Sequence, residues 1–241
     1  GSAMRTVLAI YKRELASYFN SALAYIIVPV FLLLVGLFSL YLNDLFDAGL
    51  ATLRTVFFWE AMFFLLLIPA VTMRLFAEEK RTGSLELLVT LPINESQLVL
   101  GKYLAALTLI LIAVTLTLSY PLTLATLGDL DWGPVLGGYL GLALMAAAYT
   151  AIGTAASSVT SNQIVAFLVA MSLCLVPYVV GFFLSAVPSS ILPVVQYLSF
   201  DYHFGGLSRG VIDTRNLIFY GGVVLLFLHT AVFALEQRRL A

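Results

Sequence analysis

The stretch from Arg74 to Lys102, RLFAEEKRTGSLELLVTLPINESQLVLGK, determines how this chain of 241 residues is organised. It carries eight of the 25 charged side chains, 12 basic and 13 acidic, in a sequence that is 61% hydrophobic. Apolar runs long enough to cross a bilayer flank it on both sides. We therefore predict a polar loop between two membrane spans.

A short amphipathic helix is predicted in the middle of this loop. Leu85, Leu88 and Val89 recur at helical spacing and form one apolar face, and Glu86 lies off that face. Pro92 ends this helix. A helix of this kind between two membrane spans has to lie on the membrane surface or press against a partner protein.

A second helix is predicted to begin at Asn94. Asn94 is a favourable N-cap, Glu95 lies in the first turn, and Gln97 stands where its side chain reaches back to the cap. This pattern is typical of a helix start.

Composition indicates an integral membrane protein. Only 10% of the residues are charged and the mean hydropathy is +1.03, whereas a soluble domain carries about 25% charge. The net charge of −1 offers no basic patch for nucleic acid.

Cys174 is the single cysteine, so an internal disulfide framework is excluded and packing is its expected role. Residues 1–3 are interpreted as the scar of a cleaved expression tag, which leaves 4–241 as one transmembrane domain.

Six membrane spans are predicted, because about 20 apolar residues cross a bilayer. They are roughly 23–42, 56–76, 103–124, 134–156, 164–184 and 217–235. These runs are continuous, which argues against a closed barrel of alternating strands. Before them, Met4 to Asn20 reads as an interfacial amphipathic helix. Its predicted apolar stripe consists of Val7, Leu8, Tyr11, Leu15, Tyr18 and Phe19.

Basic residues are distributed unequally between the two sides of this topology. The nine on one side are Arg5, Lys12, Arg13, Arg74, Lys80, Arg81, Lys102, Arg238 and Arg239, and the three on the other are Arg54, Arg209 and Arg215. Cytoplasmic loops carry the excess of Lys and Arg. Both termini and the central loop are therefore predicted to be cytoplasmic, and the acidic residues Asp44, Asp47, Asp129, Asp131, Asp201 and Asp213 to lie outside.

The fourth span and the connection after the fifth span have distinctive composition. Small residues follow one face of the fourth span, which favours close packing inside the bundle over a contact between subunits; they are Gly137, Gly141, Ala148 and Ala155. The connection 185–216 is broken by Pro188 and Pro193. Its part 191–204 is apolar and aromatic but too short to cross, so a re-entrant or interfacial helix is predicted.

Two ionisable residues, Glu60 and His229, fall inside apolar runs and are candidates for a transport path. The alternatives are that Glu60 reaches the membrane interface and that His229 bonds to a neighbouring helix. Two histidines without a set of cysteines or carboxylates form no metal site. The phosphate-binding motif GxxxxGK[ST] is absent, so any ATPase has to be a separate polypeptide.

Aromatic and charged residues are mixed between Leu198 and Arg215. Such side chains dominate protein contacts, and they also form belts at membrane interfaces. The residues of a possible extracytoplasmic docking site are Tyr202, His203, Arg209, Asp213 and Arg215.

The central loop resembles the loop between the first two helix pairs of type-2 ABC exporter permeases. The matching residues are Glu78, Glu79, Lys80, Arg81, Gly83, Ser84, Glu86, Leu87, Leu88, Pro92, Gly101 and Lys102. A second stretch, SFDYHFGGLSRGVIDTRNLIFY at residues 199–220, is similar to the gliding-motility, or Gld-type, branch of that family. The resemblance covers nearly the whole chain.

This resemblance implies an all-α, six-span permease of a bacterial inner membrane, with an N-terminal elbow helix and a cytoplasmic coupling helix. The chain would not be an enzyme itself. Two separate ABC ATPase subunits would hold ATP and Mg²⁺, and a second permease copy would complete a dimer. The residues expected to couple to the ATPase are Glu78, Glu79, Arg81, Gly83, Ser84, Glu86, Leu87 and Leu88.

Two other functions stay open at this point. The rival from another class is a secondary transporter or channel that works without ATP. Independently of that rival, the charged cluster could simply mark the solvated boundary of the membrane. The Gld-type similarity also allows a mechanical role, in which ATP-driven motion acts on an extracytoplasmic partner and little is transported.

Overall fold

The computed structural model describes residues 2–42, 53–90 and 93–240. These ranges contain twelve α-helices and no strand. The helices are α1 (Ser2–Asn20), α2 (Ala22–Leu37), α3 (Arg54–Thr72), α4 (Ala77–Thr82), α5 (Ser84–Val89), α6 (Glu95–Leu116), α7 (Ser119–Leu127), α8 (Trp132–Val159), α9 (Gln163–Val180), α10 (Leu192–Leu198), α11 (Phe200–Leu207) and α12 (Thr214–Leu240). A π-helical turn, Phe38–Leu42, follows α2, and a 3₁₀ turn, Gly181–Ala186, follows α9. The predicted positions of Asp44, Asp47 and Pro92 lie outside the described residues.

In the described part of the chain, six helical segments are long and apolar enough to cross a membrane, which confirms the predicted number of spans. They are Ala22–Tyr41, Arg54–Thr82, Glu95–Leu127, Trp132–Val159, Gln163–Ala186 and Thr214–Arg238. These helices begin before the predicted apolar runs. In most of them a polar N-cap residue starts the helix, and a hydropathy criterion does not detect polar residues. Asn94 and Gln97 form the predicted capping box, Asp131 accepts from the Gly133 N–H, and Asn162 caps α9.

Helix α8 forms the centre of the bundle and packs against α3, α6, α9, α11 and α12. Its glycines allow these close approaches. A Cβ at Gly138 would lie 2.1 Å from the Phe57 ring, and one at Gly153 would lie 2.0 Å from the Thr72 hydroxyl. The four predicted small residues of the fourth span are all buried within the chain. Packing inside the bundle is therefore confirmed over a contact between subunits.

Helix α1 packs beside α6 along most of its predicted apolar stripe: Val7 and Tyr18 are buried, and the half-buried members are Tyr11, Leu15 and Phe19. Leu8 differs from the prediction, because it is exposed and Ile10 is buried instead. The reason is that Gly101 lets α1 approach α6, where a Cβ would lie 2.7 Å from Ile10 Cγ2. The Tyr18 hydroxyl donates to Val71 O at 3.1 Å and fixes the other end of α1 against α3.

The segment between α9 and α12 contains two short helices where one was predicted. Ser199 has an extended backbone, ends α10, and caps α11 by accepting from the Tyr202 N–H at 3.2 Å. Pro193 does not break this segment as predicted. It lies in the first turn of α10, where its missing N–H has no helical partner to lose.

Candidate functional site

Lys102 forms the centre of a cluster at one end of the bundle, called here the Lys102 end. Its side chain comes from α6 and is only 1% exposed. The ammonium donates to Glu14 Oε1 at 3.0 Å, to Glu79 Oε1 at 2.9 Å and to Leu75 O at 2.9 Å. All three donors of the ammonium are therefore used. One side chain joins α1, α4 and the segment after α3 to α6.

Arg13 balances the charges of this cluster. Its guanidinium lies 3.0 Å from Glu14 and 3.5 Å from Glu79, so two carboxylates meet two cations. We call these four residues the Lys102 cluster. Burial alone would raise the pKa of Glu14, but Lys102, and to a smaller extent Arg13, outweigh it and hold this pKa below its ordinary value. Glu14 is thus ionised at neutral pH and bonded to α6.

The corner between α3 and α4 is held by the end of α8. The Ser157 hydroxyl accepts from the N–H groups of Phe76 and Ala77 at 2.9 and 3.0 Å, and it donates to Met73 O at 3.0 Å. Lys80 of α4 also donates to Ser158 O. A buried backbone N–H without a partner is costly, so Ser157 stabilises the point at which the second span bends into α4.

Gly83 separates α4 from α5 and reverses the chain between them. Its φ of 74° is left-handed, a conformation that glycine adopts without a steric penalty. The hydroxyls of Thr82 and Ser84 lie 3.0 Å apart across this turn. In α5, Leu85 faces inward and is buried, whereas Leu87 is 71% exposed. Helix α5 therefore has an anchored face and a free apolar side chain. The side chain of Val89 lies outside the described part.

The eight residues predicted to couple to an ATPase fall into two groups. Glu79 faces into the Lys102 cluster, and Glu78 pairs with Arg74 at 3.1 Å along the same segment. The others are exposed or half-buried around the turn; they are Arg81, Gly83, Ser84, Glu86, Leu87 and Leu88. The structure brings all eight to one end of the bundle, and their role in coupling stays a prediction.

A cleft of about 1090 Å³ opens at the opposite end, called here the cleft end. It lies between the start of α3, the turn before α8 and helices α10 and α11. The charged residues in its wall are Arg54, Asp129, Asp131, Asp201, Arg209, Asp213 and Arg215. Burial raises the pKa of Asp201 above its ordinary value. The cleft therefore combines charges of both signs with an aromatic floor.

All five predicted docking residues line this cleft, but His203 has a different role from the predicted one. His203 is 2% exposed, its Nε2–H donates to Tyr197 O at 2.8 Å, and its Nδ1 lies 2.7 Å from Asn216 Oδ1. Its ring stacks on Phe219 at 4.0 Å between centroids. It therefore joins α10 and α11 to α12. The exposed members are Tyr202, Arg209, Asp213 and Arg215.

Comparison with protein families identifies the chain. Residues 45–235, which are most of the chain, match the family described as ABC-2 family transporter protein. The chain belongs to this family. A sequence search of curated proteins finds no match. The protein is thus an ABC-2 permease, a multi-pass membrane protein of the exporter type. Membrane domains of this family are not catalytic themselves.

The two candidates for a transport path have different surroundings in the permease. Glu60 is 0% exposed in the interior of the bundle, so it does not reach the membrane interface as the alternative supposed. His229 is exposed on α12. Among the described residues, no hydrogen bond or ion pair joins the two.

Sequence reasoning missed three features of the Lys102 end. From the sequence, Glu14 is not singled out, Lys102 enters only through the charge asymmetry and the family motif, and Ser157 is not considered. The available signal was Lys102 itself, because an ammonium eight residues inside a helix that begins at Asn94 has to find carboxylates. The signal for Ser157 is weaker, since a serine near a helix end has many other roles.

Proposed function

We propose that the permease is the membrane subunit of an ATP-driven exporter and that a separate ATPase docks on α5. The exposure of Leu87 carries this proposal. Its apolar side chain projects from a helix that is anchored to the bundle through Leu85. Such a side chain at a charged end of the molecule is a favourable contact for a groove on a partner protein.

The contacts around α4 provide a route for motion from α5 into the spans. Helix α5 follows α4 directly at Gly83. Helix α4 is joined to α1 and α6 through Glu79 and Lys102, and to α8 through Lys80. Displacement of α5 when the ATPases close on ATP and Mg²⁺ would therefore act on several spans together. Transport follows if this changes access to a path between two permease copies.

A second copy is supported by the surface of the spans. The chain itself buries only 28% of the most apolar stretch of the first span, 22% of that of the fifth span and 17% of that of the sixth span. Large exposed side chains on α2 include Tyr25, Ile26 and Leu33. Lipid and a second copy would cover these faces. In the six-span topology most basic residues fall on the side of the Lys102 end. This distribution supports a location in a bacterial inner membrane with the Lys102 end in the cytoplasm.

Leu87→Asp tests the docking role of α5. The carboxylate should abolish recovery of the ATPase with the permease, because it would be desolvated in the contact. Met4→Asp is a matched control, since Met4 is 73% exposed on α1 and receives the same charge. The readouts are ATPase co-purification and transport-linked ATP turnover. Normal coupled turnover in Leu87→Asp would show that α5 does not dock the motor.

The cleft supports a second candidate, mechanical work on an extracytoplasmic partner. Tyr202 and Arg209 are exposed in its wall and are side chains that favour protein contacts. Arg209→Glu should weaken binding of such a partner in native membranes and leave ATPase recovery unchanged. Sustained transport in proteoliposomes that contain only the permease and its ATPase would argue against a mechanical role. An ATP-independent transporter would show the same transport without the ATPase.

A further inference from the structure

Glu60 is a carboxyl group without a hydrogen-bond partner in the interior of the permease. It lies on α3, at 0% exposure, in a segment that crosses the membrane. By distance and angle, neither Glu60 oxygen has a hydrogen-bond partner among the described residues; the Thr117 hydroxyl comes close, but it donates its proton to Val114 O. Buried polar groups are almost always paired, so this exception requires a physical reason.

Hydroxyl groups surround this carboxyl at a break in the third span. Helix α6 ends at Leu116 and α7 begins at Ser119, so Thr117 lies in the break. Three hydroxyls lie near enough to Glu60 to interact with it electrostatically, and they belong to Thr117, Tyr120 and Tyr139. The side chains around Glu60 therefore come from α7, from α8 and from the break before α7, while Glu60 itself lies on α3.

Two of these hydroxyl protons are already directed elsewhere. Thr117 Oγ1 donates to Val114 O at 2.5 Å, and the Tyr139 hydroxyl donates to Thr117 O at 3.0 Å. The Tyr120 hydroxyl points towards α2, where a Cβ on Gly36 would lie 2.7 Å from it. The surroundings therefore offer oxygen acceptors to Glu60 and few free donors.

Charge balance then determines what Glu60 binds. Among the described residues, no lysine, arginine or histidine acts on it, and the titratable side chains that face it are Tyr120 and Tyr139. An unpaired carboxylate at this depth would cost many kcal/mol. No cluster of three or more acidic, histidine or cysteine side chains occurs in the described part, so the site does not suit a divalent metal. A single positive charge is enough to neutralise the Glu60 carboxylate.

We propose that Glu60 is a proton-binding site of the permease, occupied in this conformation and able to exchange its proton with the cleft. The protonated carboxyl gains a donor, which suits the hydroxyl oxygens near it. This inference concerns the state of the bundle and does not depend on which partner docks at either end.

Phe57 separates the site from the cleft. Phe57 and Val135 line the cleft, and Glu60 and Tyr139 follow them by three and four residues, or about one helical turn, on α3 and α8. The Phe57 ring packs edge-on against Tyr139 at 5.2 Å and fills the space left by Gly138. Movement of this one ring would let water from the cleft reach the hydroxyls beside Glu60, and the proton would leave by that route.

Infrared spectroscopy of the full chain in lipid nanodiscs tests proton occupancy. The difference between the parent protein and Glu60→Gln at neutral pH should show loss of the C=O band of a protonated carboxyl. Loss of a carboxylate band in its place would overturn the proposal. If that carboxylate band also moves when potassium salts are replaced by sodium salts, the bound charge is a metal cation and the proton is excluded.

Phe57→Ala tests the route. Hydration of the pocket should lower the pH at which the Glu60 C=O band disappears by about one unit or more, a tenfold change in proton affinity. Phe58→Ala is the matched control, because Phe58 also lines the cleft but packs on Trp59 and Phe182. Equal midpoints in the Phe57→Ala variant and the parent protein, or equal shifts in the two variants, would overturn the route past Phe57.

Discussion

Replacing Lys102 by methionine should loosen α1, α4 and α6 from one another. The substitution keeps a side chain of similar length and removes the ammonium that lies within 3.0 Å of both Glu14 and Glu79. Leu75 O loses its donor as well. The two carboxylates are then left close together with only Arg13, which is 54% exposed, to neutralise them.

The expected cost follows from the burial of the acids. Removing one partner of a fully buried ion pair costs about 3–5 kcal/mol. The side chains of Glu14 and Glu79 are 15% and 17% exposed, so water screens part of the repulsion. We therefore expect a loss of about 2–3 kcal/mol. For a chain of this size this corresponds to a melting temperature lower by roughly 5–10 °C.

The assay is thermal unfolding in one fixed detergent, with hydrogen exchange of the α1 amides measured in parallel. Lys12→Met, at an exposed position of α1, is the matched control and should change little. The double variant Lys102→Met with Glu79→Gln should recover part of the loss, because one of the two repelling charges is gone. A melting temperature within about 1 °C of the parent protein, with unchanged α1 exchange, would refute the role of the Lys102 cluster as a clamp.

Three further predictions concern the same end. Because the pKa of Glu14 is held low, its pairing with Lys102 stabilises the fold above the ordinary carboxyl pKa, and this stabilisation is lost as the pH falls through the lowered value. Hydrogen exchange of the α1 amides should therefore accelerate in acid. Glu14→Gln should remove this pH dependence. Ser157→Ala leaves two buried N–H groups without partners and should cost about 2–3 kcal/mol in thermal unfolding, whereas Ser158→Ala, whose hydroxyl bonds within its own helix, should cost less. Gly83→Ala should cost about 1–2 kcal/mol because φ is positive and nothing crowds the site, and Gly83→Asn should cost less.

The features that the sequence predicted depend on local information. The six spans follow from long apolar runs, and the capping box at Asn94 from residues three positions apart. Helix α5 also follows from the spacing of neighbouring apolar residues. The burial of Ile10 in place of Leu8 could not be predicted in this way. The apolar stripe follows from the sequence of α1 alone, but Gly101 on another helix makes room for Ile10.

The candidate site depends on contacts between distant parts of the chain. Lys102 meets Glu14 across 88 residues and Glu79 across 23. Sequence reasoning without homologues cannot pair such residues. His203 was misassigned for the same reason. A histidine among aromatic residues resembles a surface belt, but the docking of Asn216 and Phe219 from α12 buries it.

The connections of α8 restrict how the Lys102 end can move. At one end of α8, Ser157 and Ser158 bond to the corner before α4 and to Lys80. At the other end, its residues line the cleft. The 28 residues of α8 span about 42 Å. A displacement of α4 that left α8 in place would break the three hydrogen bonds of Ser157 in a buried site. Joint movement of α4 and α8 keeps them, so the less costly motion is one that also reaches the cleft and the Phe57 ring above Glu60.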